Sequence, residues 1–205
     1  MNILTDRLPE TLFVNGEEYR INADARTCLT IMIDLASQDW TNAEKMTILY
    51  ELLYREKPED AEEAIRQGLR FLNCETDDDE EAEADPYAEI SEEKEDDPVY
   101  YSFRKDAGLI YAAFLQVYGI NLSRDALHWW EFVTLFSNLG GDTAFSNLVS
   151  LRKRVAEHKA TEEEIKVAQE MGEAFYVDEP EPLTEAEKES GNKFMRLLNG
   201  GIGND

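Results

Sequence analysis

The chain has 205 residues, enough for one ordinary domain or two small ones. Hydrophobic residues make up 42% of it, adequate for a packed core, and the formal net charge is −25. A field of that sign repels nucleic-acid phosphates and anionic membranes, so simple charge attraction to either is excluded; binding to basic partners and mimicry of DNA by displayed carboxylates stay open.

No apolar run approaches the roughly 18 residues of a membrane span. The start, "MNILTDRLPE", has no basic region followed by a long apolar stretch, so no signal peptide is expected. The segment "TLFVNGEEYRIN" is a strong hairpin signal. Asn15 and Gly16 supply the two positive-φ positions of a tight type I′ turn, with Phe13 and Tyr19 on either side of it. A lone hairpin is marginal in water, so it must pack on the helices that follow or extend a sheet in another subunit.

Helical spacing then dominates. Cys28, Leu29, Ile31, Met32 and Leu35 predict a helix from about Ala25 to Ser37. Thr41 and Glu44 form a capping-box pattern before a second helix with Met46, Leu49, Tyr50 and Leu53 on one face. Pro58 reads as first-turn proline of a third helix, through Ala61, Ile65, Leu69 and Leu72. Cys28 and Cys74, the two cysteines, read as reduced thiols of a cytosolic protein.

The composition then shifts. Residues 75 to 97 hold 14 acidic residues and one lysine, about half of the chain's net charge. So few apolar groups cannot offset the entropy of ordering, and a flexible acidic linker over 75–98 is expected. It serves solubility and spacing, attraction of a basic partner, or DNA mimicry.

Order resumes at Ser102, a candidate N-cap, followed by an apolar face of Phe103, Ala107, Ile110, Tyr111, Phe114, Val117 and Tyr118, closed by Gly119. A helix from about Arg124 to Leu139 follows, and Gly140-Gly141 stops it. Asp142 or Thr143 can cap the next helix, through Phe145, Leu148, Val149 and Val155. Thr161 and Glu164 repeat the capping box before a helix reaching Phe175 or Tyr176. After a break at 178–183, a short helix from Thr184 to Leu198 is predicted, with a fraying end. The expected fold class is mainly α: a helical domain with a short N-terminal β-hairpin and an acidic flexible insertion. Its parts are a hairpin with helices over 1–74, the linker over 75–98, a helical part over 99–177 packing with the first, and a tail over 178–205.

Catalytic chemistry finds little support. His128 and His158 lie in separate predicted helices, neither in a two-histidine metal motif, and no paired cysteines accompany them. A nucleophile elbow and a P-loop are missing, and "DDDEE" lacks the ligand alternation and glycine of a calcium loop. No catalytic residue, metal ligand or cofactor is assigned, and no enzyme activity is expected.

The aromatic run "DALHWWEFVTLFSNLGGDTAFSNL" (125–148) invites a site assignment. On a helix of 3.6 residues per turn, Trp129, Phe132, Val133, Leu135, Phe136 and Leu139 share one arc. Glu131, Thr134 and Asn138 lie opposite, with Leu127 among them. Trp129 is therefore expected in the core, and Trp130 at its rim, available to a neighbouring helix or to another protein, since tryptophan is a frequent interface anchor. Trp130, Leu127, Phe13 and Tyr19 are the candidate partner-binding residues. His128 reads as a rim histidine.

"YSFRKDAGLIYAAFLQVYGINL" followed by "LHWWEFVTLFSNLGGDTAFSNLVSLRKR" resembles the bacteriophage gene-product-fifteen family, found in long-tailed phages and prophages, mainly of Gram-positive bacteria. The start of the chain is similar too, and the resemblance covers most of residues 1–155 outside the acidic stretch. Its strongest signals are "HWW-x-F", "DT-x-F" and Arg152. The resemblance supplies no catalytic residues. The usual place of such genes, between those for the major tail protein and the tape-measure protein, implies a tail assembly chaperone. That role implies binding of the tape-measure protein, assembly of several copies, no nucleic-acid or membrane partner, and a place in the host cytoplasm but not in the mature virion. The alternatives are a structural tail component, or an acidic inhibitor of a host DNA-binding protein.

Overall fold

The computed structural model describes residues 3–75 and 99–177. The acidic stretch expected as a linker, apart from Glu75, and the predicted tail helix lie outside the described residues. Among those described are one two-stranded antiparallel sheet and seven α-helices. The mainly helical architecture with an N-terminal hairpin is therefore observed. The described residues divide into two compact units: 3–75 with His128–Trp130, and 99–127 with 131–177.

In the first unit, β1 (Thr11–Val14) and β2 (Glu17–Arg20) pair with Leu12 opposite Tyr19 and Phe13 opposite Glu18. Asn15 and Gly16 take φ of 52° and 84°, as a type I′ turn requires. The hairpin packs on the helices that follow. The Asn15 side-chain amide donates to Asp60 at 2.9 Å, and the strand's continuation is tied down by Asn22 N–H to the Leu53 carbonyl at 2.7 Å.

α1 (Ala25–Ala36), α2 (Asn42–Leu53) and α3 (Ala61–Leu72) complete this unit. Thr41 and Glu44 form the expected capping box, while Asp24 and Asp60 cap α1 and α3. Pro58 is not in the first turn of α3. It lies before the Asp60 cap, buried, with its carbonyl accepting from the Tyr50 hydroxyl. Gly68 fixes how closely α2 and α3 approach. A Cβ there would meet Leu49 Cδ2 at 2.8 Å and Leu53 Cδ2 at 2.9 Å, so the interior glycine exchanges helix propensity for contact. Burial pushes the Cys74 thiol up to about 11 and raises that of Cys28 as well, which disfavours the reactive thiolate in both.

The second unit holds α4 (Ala107–Tyr118), most of α5 (Trp129–Ser137), α6 (Ala144–Ala156), α7 (Glu162–Met171) and a 3₁₀ turn, Gly172–Ala174. Its core is aromatic. Phe132 stacks on Phe114 at 5.1 Å and on Phe136 at 5.7 Å, while Tyr101, Phe103 and Phe145 pack edge-on or tilted around Phe136. Thr143 caps α6, and the Thr161–Glu164 capping box opens α7.

Two starts differ from expectation. α4 begins at Ala107, not near Phe103: Ser102 Oγ accepts from Lys105 N–H and closes a preceding turn. α5 begins at Trp129, not near Arg124, because His128 is extended and bridges Asp24.

The carboxylates of Glu44, Asp60 and Glu164 are held below their usual range, first by backbone N–H groups of Thr41, Glu63 and Thr161. A depressed folded value means that these caps stabilise at neutral pH and lose that contribution as pH falls through it. α6 ends with Glu157 as C-cap and His158 at φ 56°, its N–H bonded to Val155 and that of Lys159 to Arg154. This left-handed position suits glycine, so His158→Gly, an exposed change, should raise stability by about 0.5–1 kcal/mol in urea denaturation.

Candidate functional site

The residues that the sequence singles out fall into two clusters, one in each unit. The first is built on the end of α3 and the start of α5. A helix leaves its last four carbonyls without intrahelical partners. In α3, Leu69 O accepts from Asn73 N–H and Arg70 O from Glu75 N–H. Phe71 O accepts from Cys74 N–H and from Trp130 Nε1–H at 2.9 Å, and Leu72 O accepts from Trp129 Nε1–H at 2.9 Å. The adjacent indoles thus complete the C-terminus of α3.

Of the two contacts left open for Trp130, the neighbouring helix is the one observed, and an exposed rim position is corrected. Trp130 is 7% exposed, and its ring stacks on Phe71 at 5.9 Å. Helical phase alone places residue 130 at an edge. Contact of Trp130 with the end of α3 closes that edge. Trp129 is core as expected, 2% exposed, as is Phe132.

His128 has a structural task that periodicity misses. Its Nδ1 accepts from Trp130 N–H at 3.1 Å, so it caps α5, and its Nε2 meets the Pro9 carbonyl at 3.0 Å. With Nδ1 as acceptor, Nε2 must carry the proton and donate to Pro9. His128→Ala should cost about 1–2 kcal/mol, and His128→Asn, which keeps a capping acceptor, should cost less. Urea midpoints of the two variants check this.

The remaining candidate residues do not converge. Phe13 is 62% exposed on the outer face of the hairpin, paired with Glu18. Tyr19, opposite Leu12, lies on the other face, half-buried, with its hydroxyl donating to Glu17 at 2.8 Å. Leu127 is half-buried.

The second cluster centres on Arg152 in α6, 4% exposed. All five of its N–H donors are used. Nη1 and Nη2 hold the two oxygens of Asp106 at 2.6 and 3.0 Å. The others reach the carbonyls of Tyr100 (3.1 Å), Ala174 (3.0 Å) and Phe175. Asp106 also accepts from Ser102 N–H and makes no capping bond to α4, although it occupies that helix's N-cap. One planar cation thereby joins the segment before α4, the start of α4, α6 and the segment after α7. Sequence reading marks Arg152 but not its partner, because the two are 46 residues apart.

Among the described residues, no group of three or more His, Cys, Asp or Glu side chains is placed to hold a metal ion, and no helix is long and apolar enough to cross a membrane. His128, Trp129, Trp130, Thr143 and Arg152 cap helices, fill cores or tie segments together. The chain belongs to the Bacteriophage Gp15 protein family, whose model matches residues 4–176. The match extends past residue 155, through α7 and the segment that Arg152 holds. No curated protein and no solved structure matches the chain.

Proposed function

We propose that this phage-family protein is a non-enzymatic tail assembly chaperone that binds the tape-measure protein while the tail is built. The observation that carries the reading is how the family signature is used. His128 Nδ1 and the indole N–H groups of Trp129 and Trp130 serve helix ends, Thr143 caps α6, and Arg152 uses all five donors within its unit. A signature of that kind specifies a shaped body, and the remaining surface is left to recognition. The charge of −25 suits a protein that must keep an aggregation-prone partner in solution. The proposed place of action is the host cytoplasm, without nucleic acid, membrane or cofactor, and with self-association as a further property.

Co-expression with the cognate tape-measure protein tests this directly. Co-purification is expected, together with absence of the chain from purified virions by mass spectrometry. Failure to co-purify, with normal tails from a phage deleted for the gene, overturns it. Abundant chain in virions favours a structural tail component instead.

A further inference from the structure

Helix α4 buries Ile110, Ala113 and Phe114 on one side. The opposite side carries Gly108, Ala112, Leu115 and Gly119, all exposed, with half-buried Tyr111 at the margin. Spacings of four, three and four residues put these on one continuous face. A solvated helix face ordinarily carries charge. This one has none: the chain is 32% charged, yet residues 107–123 hold no charged side chain. Leu115 is 46% exposed on it. Gly108 has no purpose within its own unit. Its φ is not positive, and a Cβ there would meet nothing within 4 Å, whereas at Gly68 it would meet Leu49 and Leu53. Glycine lowers helix propensity, so the room beside Gly108 is a cost that only a side chain from outside can use.

The face is complementary to itself. Antiparallel pairing with a second copy, about a two-fold axis between Tyr111 and Ala112, sets Leu115 of each copy over Gly108 of the other and Tyr111 over Ala112. Every large side chain then meets a small one, as a knob meets a hole. The same register brings exposed Arg104 of one copy to Gly119 of the other, at the C-terminus of α4. That end carries the negative pole of the helix and has no basic residue in its own last turn. Each copy therefore supplies the cation that the other's helix end lacks. A contact without carboxylates is also the one that two chains of charge −25 can make at least electrostatic cost. We infer that Gly108, Ala112 and Leu115 of α4 form a dimerisation surface whose occupant is a second copy of this chain. This deepens the self-association named in the proposed function and rests on that part of it, not on the tape-measure partner.

Sedimentation equilibrium of the full chain should show monomers and dimers in exchange. Association should tighten as salt rises, because salt screens the repulsion of the two chains and leaves apolar contact unscreened. Gly108→Leu fills the hole for Leu115 but meets open space in the monomer. It should raise the dissociation constant by about tenfold or more, with a urea midpoint at monomeric concentration equal to wild type or higher. Gly108→Leu with Leu115→Ala exchanges knob and hole, and should restore association. A monomer at every concentration, association that weakens with salt, an unchanged constant in Gly108→Leu, or no rescue in the double variant overturns the inference. Co-purification of the tape-measure protein separates the two ideas. A chain that dimerises in this way but captures no tape-measure protein leaves the surface standing and the chaperone reading fallen. A monomer that captures it does the reverse. A wholly monomeric chain whose capture is lost in Gly108→Leu gives this face to the tape-measure protein, and overturns the inference as well.

Discussion

Arg152→Met should lower unfolding stability by roughly 3–5 kcal/mol, a large part of what a domain of this size has. The substitution keeps side-chain volume but removes the cation, leaving the Asp106 carboxylate buried with only the Ser102 N–H from its described partners. It also orphans the carbonyls of Tyr100, Ala174 and Phe175. Arg152→Lys should fall between, since an ammonium keeps the charge but cannot span a carboxylate and three carbonyls in one plane. The double variant Arg152→Met/Asp106→Leu separates the causes. If the unpaired charge dominates, it should be more stable than Arg152→Met alone. If the carbonyls dominate, it should be no better. Urea denaturation of all three checks this, and a loss below about 1 kcal/mol for Arg152→Met, the scale of an exposed pair, would refute the buried-hub description.

The tryptophan pair carries the second large effect. Trp129→Ala and Trp130→Ala should each cost roughly 3–5 kcal/mol, because each removes a buried ring and the donor to an α3 carbonyl. A rim tryptophan would be nearly silent in the same experiment, so the similarity of the two losses is the diagnostic outcome. Trp130→Phe keeps an aromatic ring against Phe71 but lacks the Nε1–H, and should cost about 1 kcal/mol from the hydrogen bond alone. If Trp130→Ala unfolds at the wild-type midpoint, the packing of Trp130 on the end of α3 is wrong.

Functionally, these two results bound where recognition can occur. Residues whose loss unfolds the chain report on folding, and a binding defect in them is uninformative about the partner surface. Phe13, Val99 and Tyr176 are exposed enough to be changed without that ambiguity. They lie in different units, so their separate effects on the proposed tape-measure capture would assign it to one unit or the other.

Local chemistry was legible in the sequence wherever it acts within a few residues. Asn15-Gly16 forces its turn through positive φ, and Thr41 with Glu44 and Thr161 with Glu164 close their capping boxes across three residues. The apolar spacing of α5 correctly places Phe132 in the core and Glu131, Thr134 and Asn138 in solvent. Those features depend on backbone sterics and helical period, which any stretch of chain carries with it. Tertiary structure alone decided the rest. Trp130 is buried because the end of another helix meets it, His128 became a cap because Asp24 draws it into a bridge, and Asp106 serves Arg152 from 46 residues away. Each depends on a hydrogen-bond partner distant in sequence, and a period counted along one helix has no term for a partner that folding brings from elsewhere.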